Sequence, residues 1–369
     1  MTDHDPLRFA EDLSAKLATS SRHVCFVLGA GASRACGLPD VQQLTQKVLD
    51  ALGEPDKTNF QFQLTDHNLE EALSRLRRIA ALVREDQKVD GLTGQEAFAL
   101  DASVCANIVK ALDIAGADLT PMRGLAAWVA RARYRSPVEL FTVNYDLLIE
   151  TALEEASVPY FDGFTGSLRA RFQTELVENR PDSAEEAMPA FFGRLWKVHG
   201  SVNWEWENER QVVRIGQPVV EGKVAAIYPS DTKYEESRRV PFVILLDRFR
   251  RALLEPETLV VVTGYAFGDE HLNELIFDAA ARRERSEFIC MSYNEIPDTL
   301  AGRAASTPNL QAITANEAIV GGQRAPWKAP ENPSPSIWIE DKFALRDFRH
   351  LASFLARSSA ADIEKAPQA

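Results

Sequence analysis

The chain has 369 residues, 45% of them hydrophobic, which is enough for a sizeable core in one large or two unequal domains and excludes a wholly disordered protein. With 41 Lys and Arg against 54 Asp and Glu, its formal charge of −13 argues against a broad basic surface that tracks nucleic-acid phosphates. The four cysteines (Cys25, Cys36, Cys105, Cys290) are scattered, with neither the close pairs of a zinc ribbon nor a disulfide framework, so no metal site is expected.

The polar, acidic start, Met1 to Pro6, carries no charged segment followed by an apolar one. No later apolar run approaches the ~20 residues that span a bilayer, so a reduced, cytoplasmic chain without membrane contact is expected. The first apolar, β-branched run, Val24 to Leu28, ends on Gly29-Ala30-Gly31-Ala32-Ser33. Such a turn lets backbone N–H groups approach a pyrophosphate at the positive end of the next helix.

The stretch from about Val41 to Arg135 reads almost wholly as helices, with Leu69, Leu73, Leu76, Ile79 and Ala80 at helical spacing, and forms an α-helical insertion. A second strand, Val138 to Val143, leads through Asn144 and Tyr145 into a helix striped by Leu148, Ile149, Ala152, Leu153 and Ala156. A third, Leu259 to Thr263, leads through Gly264 to Gly268 into a helix capped by Asp269, with Leu272, Leu275, Ile276, Ala279 and Ala280 on one face. A strand at Phe288 to Ser292 follows. Gly321 to Pro335, rich in Pro and Gly, reads as a loop; a last strand (Ile337 to Ile339) and an amphipathic helix (Leu345, Phe348, Leu351, Leu355) pack back onto the core. The tail from Ser358 is expected to fray.

Strand, turn and helix recurring in this way predict an α/β fold: a Rossmann-like, mostly parallel sheet flanked by helices, with an α-helical insertion. Residues 1–40 and 136–357 form the nucleotide-binding domain, 41–135 the insertion and 358–369 a flexible tail. Arg34 stands where a dehydrogenase fingerprint wants a third Gly or Ala, so a hydride-transfer site is not indicated. Each local feature has a plain structural alternative. The glycine pair suits a tight turn without ligand, Asn144 and Asp146 can cap the following helix, His199 can be a core histidine, and His271 can sit on an exposed helix face.

The order of the motifs narrows the reading. Gly29-Ala30-Gly31-Ala32-Ser33 with Gly37-Leu38-Pro39-Asp40, then Thr142-Val143-Asn144-Tyr145-Asp146, Lys197-Val198-His199-Gly200-Ser201 and Gly264-Tyr265-Ala266-Phe267-Gly268-Asp269, resembles the sirtuin series. The chain is most similar to the bacterial sirtuin-like NAD hydrolases of antiviral defence, in Asn144-Tyr145-Asp146, His199-Gly200-Ser201-Val202-Asn203-Trp204 and Asp269-Glu270-His271-Leu272-Asn273. It lacks the Cys-x-x-Cys zinc module of the deacylating sirtuins, and Val41-Gln42 replaces the Phe-Arg that follows their Pro-Asp.

The resemblance implies cleavage of the nicotinamide–ribose bond of NAD to nicotinamide and ADP-ribose, depleting NAD in anti-phage defence. Asn144 would order the nucleophile. His199 would serve as general base, its ordinary pKa of about 6.5 lying near working pH. Gly29, Ala30, Gly31 and Ser33 would hold phosphates, Asp146 the nicotinamide carboxamide, and Asp40 and Ser201 further parts of NAD. Gly264, Tyr265 and His271 would lie near the adenosine. Spare apolar faces on the helical insertion predict further copies of the chain as partners, and the resemblance implies a separately encoded HerA-type ATPase in preference to a short Argonaute. The alternatives are an NAD-dependent protein deacylase and a non-catalytic NAD or ADP-ribose sensor. A sensor would need Gly29 to Ser33 but neither Asn144 nor His199.

Overall fold

The computed structural model describes residues 3–84, 87–178, 193–208, 211–219, 224–226 and 239–357; the expected frayed tail from Ser358 lies outside them. In chain order the strands are β1 (His23–Leu28), β2 (Glu139–Thr142), β3 (Tyr160–Phe161), β4 (Phe164–Thr165), β5 (Ala170–Phe172), β6 (Gly193–Lys197), β7 (Gly200–Trp206) and β8 (Val212–Arg214). They continue as β9 (Val224–Ala226), β10 (Thr258–Thr263), β11 (Glu287–Met291), β12 (Leu310–Ile313), β13 (Glu317–Val320), β14 (Gln323–Pro326), β15 (Trp338–Ile339) and β16 (Lys342–Phe343). The main sheet runs β14-β13-β12-β11-β10-β1-β2-β6-β3. Every pair from β12 to β3 is parallel; β13 and β14 add an antiparallel edge.

β1 and β10 are buried along their whole length because helices cover both faces, which is why they read as continuous apolar runs. Val24, Phe26 and Leu28 enter one core with helices Pro6–Ala18, Thr120–Arg131, Leu148–Glu155 and Phe348–Arg357. Cys25 and Val27 enter the other, with helices Phe242–Leu253, Glu270–Arg282 and Asp298–Ser306. β1 lies between β2 and β10, with the chain continuing to β2 on one side and returning to β10 on the other. That is the topological switch at which open α/β sheets bind ligands beyond their carboxyl ends.

The helical stretch gathers Val48, Phe60, Leu73, Leu76, Leu100, Val104 and Ile108 into a core that Val202 of β7 also enters. Reciprocal capping boxes, Asp40 with Gln43 and Thr93 with Glu96, fix the starts of two of its helices. Helix Thr120–Arg131 instead sends Met122, Leu125 and Trp128 to the main sheet, where Trp128 meets Phe26 edge-on at 5.2 Å.

Two further features differ from the sequence reading. Gly321 to Pro335 is not all loop: Gly321 (φ 59°) and Gly322 (φ 79°) form a two-residue turn whose positive φ angles suit a hairpin, so Gln323–Pro326 pairs with Glu317–Val320. A second sheet, β4-β5-β8-β7-β9, is antiparallel and leaves the main sheet directly after His199. The strand expected at Ile337 pairs as Trp338–Ile339 with β16, apart from the main sheet.

At the amino edge of the sheet, buried Glu139 accepts from His23 Nε2 (2.9 Å), Trp196 Nε1 (2.6 Å) and Arg248 Nε (2.9 Å). Burial disfavours the charged forms of both His23 and Glu139. The Cys25 sulfur and the Glu139 carboxylate outweigh it to raise the His23 pKa, and Arg248 and His23 outweigh it to lower that of Glu139. Among the described residues no helix is long and apolar enough to cross a membrane.

Candidate active site

At the carboxyl edge the parallel ladder continues past the strand ends: Gly29 N–H donates to Thr263 O (3.1 Å) and Gly31 N–H to Gly264 O (2.8 Å). The two glycine loops touch backbone to backbone. A Cβ on Gly29 would lie 2.5 Å from Gly264 O, one on Gly31 2.7 Å from Gly264 Cα, and one on Gly264 2.4 Å from Ala32 N. Small residues are therefore required here by the protein's own packing. The exposed Ala30 opens a short helix, Ala30–Ala35, that has no side-chain cap, and the buried Thr263 Oγ1 beside it has no hydrogen-bond partner.

Asn144 lies two residues beyond Thr142 at the end of β2 and joins this floor. Its Nδ2 donates to Gly29 O (2.9 Å) and to Ser33 Oγ (2.8 Å), and Ser33 donates to Asp146 Oδ2 (2.5 Å). The carbonyl of Gly29 can only accept, so the amide nitrogen must face it, leaving Oδ1 as the atom Asn144 can offer to a ligand. Asp146, 5% exposed, also accepts from Leu148 N–H (3.1 Å). It thus both anchors Ser33 and takes the first N–H of the helix that follows, whose N-cap position is Leu147. Ser33 spends its hydroxyl hydrogen inside this network.

β6 is the parallel neighbour of β2, with Thr142 opposite Lys197, so Asn144 and His199 each stand two residues past that pair. The Tyr145 carbonyl accepts from Lys197 Nζ (3.3 Å), Ser201 Oγ (3.2 Å) and Val202 N–H (2.9 Å). Lys197, 2% exposed, also donates to Asp146 O and to Glu150 Oε1 (2.8 Å). Burial raises the Glu150 pKa, against the pull of Lys197. Ser201, itself fully buried, holds the loop rather than facing the crevice. Tyr145 and Leu147 pack against the helical core, so the loop that carries Asn144 touches both layers of the protein.

His199 lies in the turn between β6 and β7, its Nε2 3.2 Å from Asp269 Oδ2, the two side chains 12% and 10% exposed. Asp269 caps helix Glu270–Arg282 as expected, its Oδ1 accepting from His271 N–H (3.0 Å) and Leu272 N–H (3.3 Å). Sequence reading found the cap but not the pairing, because nothing local connects Asp269 with a histidine 70 residues upstream. In the sequence Lys197 is likewise legible only as part of a motif.

The remaining candidates are more dispersed. Gly264 lies in the floor, but Tyr265 turns into the core beside Phe267, and its hydroxyl shares its one hydrogen between Asp269 O (3.2 Å) and Asn273 Oδ1 (3.0 Å). Burial raises its pKa. Asp40 caps helix Val41–Ala51 and faces Arg34 at 3.6 Å, and His271 is exposed. Trp204 is core, packed on Phe164 at 4.7 Å. Among the described residues no group of three or more His, Cys, Asp or Glu side chains is arranged to hold a metal ion.

Residues 138–313, from just before β2 to the end of β12, match the family model described as SIR2-like domain. The match takes in Asn144, Asp146, His199, Gly264 and Asp269; the first glycine loop lies upstream of it. No curated protein matches the chain. The matched segment is thus similar to SIR2-like domains, which use NAD.

Proposed function

We propose that this SIR2-like chain is an NAD glycohydrolase. The observation that carries the reading is the committed geometry of Asn144: both donors of its amide are fixed on Gly29 O and Ser33 Oγ, which presents Oδ1 as an acceptor beside the glycine floor. An acceptor there suits a ribose hydroxyl or the attacking water, and His199 stands on the neighbouring loop as base. In the reaction the bond from the anomeric carbon to nicotinamide breaks, its electron pair leaving on the ring nitrogen. Water oxygen bonds to that carbon, and its proton passes to His199 and then to solvent. Holding both partners in one crevice lowers the entropic cost of the encounter, and fixed dipoles around the sugar stabilise its developing positive charge.

In its cellular setting the activity would deplete NAD during phage infection, in an assembly of several copies under a HerA-type ATPase partner. The test is nicotinamide release from NAD by the purified chain, with and without acyl-peptide. Release in peptide-free NAD that is lost in His199→Ala supports the reading. Release only with acyl-peptide would replace it with deacylation, and NAD binding without release by a sensor.

A further inference from the structure

Asp269 does two things with one carboxylate. Oδ1 is taken by the first N–H groups of helix Glu270–Arg282, which any capping residue would achieve, but Oδ2 lies 3.2 Å from His199 Nε2. The contact crosses the switch point, since His199 follows β6 and Asp269 follows β10, with β1 and β2 between those strands. The turn that presents Asp269 is itself pinned: the Tyr265 hydroxyl donates to Asp269 O, and Asn273 Nδ2 donates to Phe267 O at 2.8 Å. Both side chains are mostly withdrawn from water, where a charge contact is weakly screened.

We infer that Asp269 is a positioning residue for His199, fixing the imidazole's orientation and tautomer for NAD cleavage; this rests on the glycohydrolase reading. A carboxylate only accepts, so its partner Nε2 carries the hydrogen and Nδ1 carries the lone pair that takes the proton. The negative charge also favours the imidazolium formed once His199 has accepted that proton. Helix capping and base orientation are thereby joined in one side chain, and the wall after β10 sets the base on β6.

The experiment compares parent, Asp269→Asn, Asp269→Ser and His199→Ala. Asn and Ser both keep the cap, so melting temperatures should stay close to the parent. Asn turns an acceptor toward the helix and can offer its NH₂ to His199, which favours the other tautomer. Expected for Asp269→Asn are a fall in kcat of roughly 10²-fold or more at little changed KM, and an acid limb of kcat/KM moved to lower pH, since removing the carboxylate lowers the histidine pKa. A second readout needs no turnover: ¹⁵N-imidazole NMR of the ligand-free chain, with His199 assigned by its loss in His199→Ala. It should show an Nε2–H tautomer in the parent, and in Asp269→Asn a pKa lower by about one unit or more. An unchanged His199 titration and tautomer in Asp269→Asn, or an undiminished kcat with an unmoved acid limb, would reduce Asp269 to a helix cap. A raised kcat would make the contact a restraint and overturn the inference as well. If His199→Ala keeps full activity, the glycohydrolase mechanism fails instead, and the NMR arm still decides whether Asp269 governs His199.

Discussion

Gly31 donates its N–H to Gly264 O at 2.8 Å, and a Cβ on Gly31 would lie 2.7 Å from Gly264 Cα. The neighbour that demands glycine at this position is another loop of the protein. Replacing Gly31 by Val should therefore wedge the loops apart and cost about 1–3 kcal/mol before any ligand is present, with weaker NAD binding as a consequence. Urea unfolding of the ligand-free variant checks this; parental stability with lost NAD affinity would return the glycine to the ligand.

Asn144 supports the floor as well as the chemistry. Asn144→Ala should cut turnover roughly 10²-fold or more while the protein stays folded. Asn144→Asp should be the less stable of the two, because an oxygen that cannot donate would then face Gly29 O. Circular dichroism melts alongside nicotinamide release separate the two effects, and an Asp variant as stable as Ala would contradict the donor assignment.

Lys197→Met should be severely destabilising, by about 3–5 kcal/mol, because it strands the buried Glu150 carboxylate and takes a donor from the Asp146 and Tyr145 carbonyls. Adding Glu150→Gln should recover part of the loss. Burial holds the Glu150 pKa up, so the deficit of the single variant should also shrink as pH falls and the carboxyl is protonated in the folded state. Unfolding free energies of the three proteins at two pH values test both statements.

The His23–Glu139 pair should shape stability against pH from both sides. Glu139 is depressed, so its contribution is full above its unfolded pKa of about 4.3 and is lost as pH falls toward the lower folded value. His23 is raised, so its contribution is full below its unfolded pKa of about 6.5 and is lost as pH rises through the raised folded value. The stability gap between parent and His23→Gln should be largest near pH 6 and should narrow on the alkaline side. A gap independent of pH between 6 and 10 would mean that His23 is neutral in the fold.

Val41, Phe62, Leu82, Val89 and Phe98 are large apolar side chains left exposed on the helical stretch. Light scattering should find more than the 41 kDa monomer at micromolar concentration. Polar replacements of Phe62 and Phe98 should reduce the mass. Because Tyr145 packs on the same helical core, dilution to monomer should also lower turnover. A parent that runs as a monomer throughout would remove this proposal.

The strands of the switch point were legible because burial on both faces leaves continuous apolar runs: Val24 to Leu28 and Leu259 to Thr263 each fall within the observed strand, one residue short at its start. The cap at Asp269 was legible because capping is local. The second sheet was not, since its pieces are short and β4 has only two residues, too few for alternation to register. The Gly321-Gly322 hairpin was hidden by the proline-rich sequence after it. In the site, motif order placed Asn144 and His199 on one edge, but the contacts that set their chemistry, to Gly29, Ser33 and Asp269, are tertiary and have no periodicity to betray them.

The central strand is made first and completed late. His23 opens β1, yet its register partner Thr258 is 235 residues further on, and Gly29 and Gly31 find their acceptors only in Thr263 and Gly264. A ribosome must therefore deliver more than two-thirds of the polypeptide before the nucleotide floor can close, and until then β1 lacks one neighbour and exposes an apolar edge. Prematurely terminated or proteolytically clipped products ending before β10 have no floor to bind NAD. On the glycohydrolase proposal, topology alone would shield a producing cell from unfinished fragments of the chain.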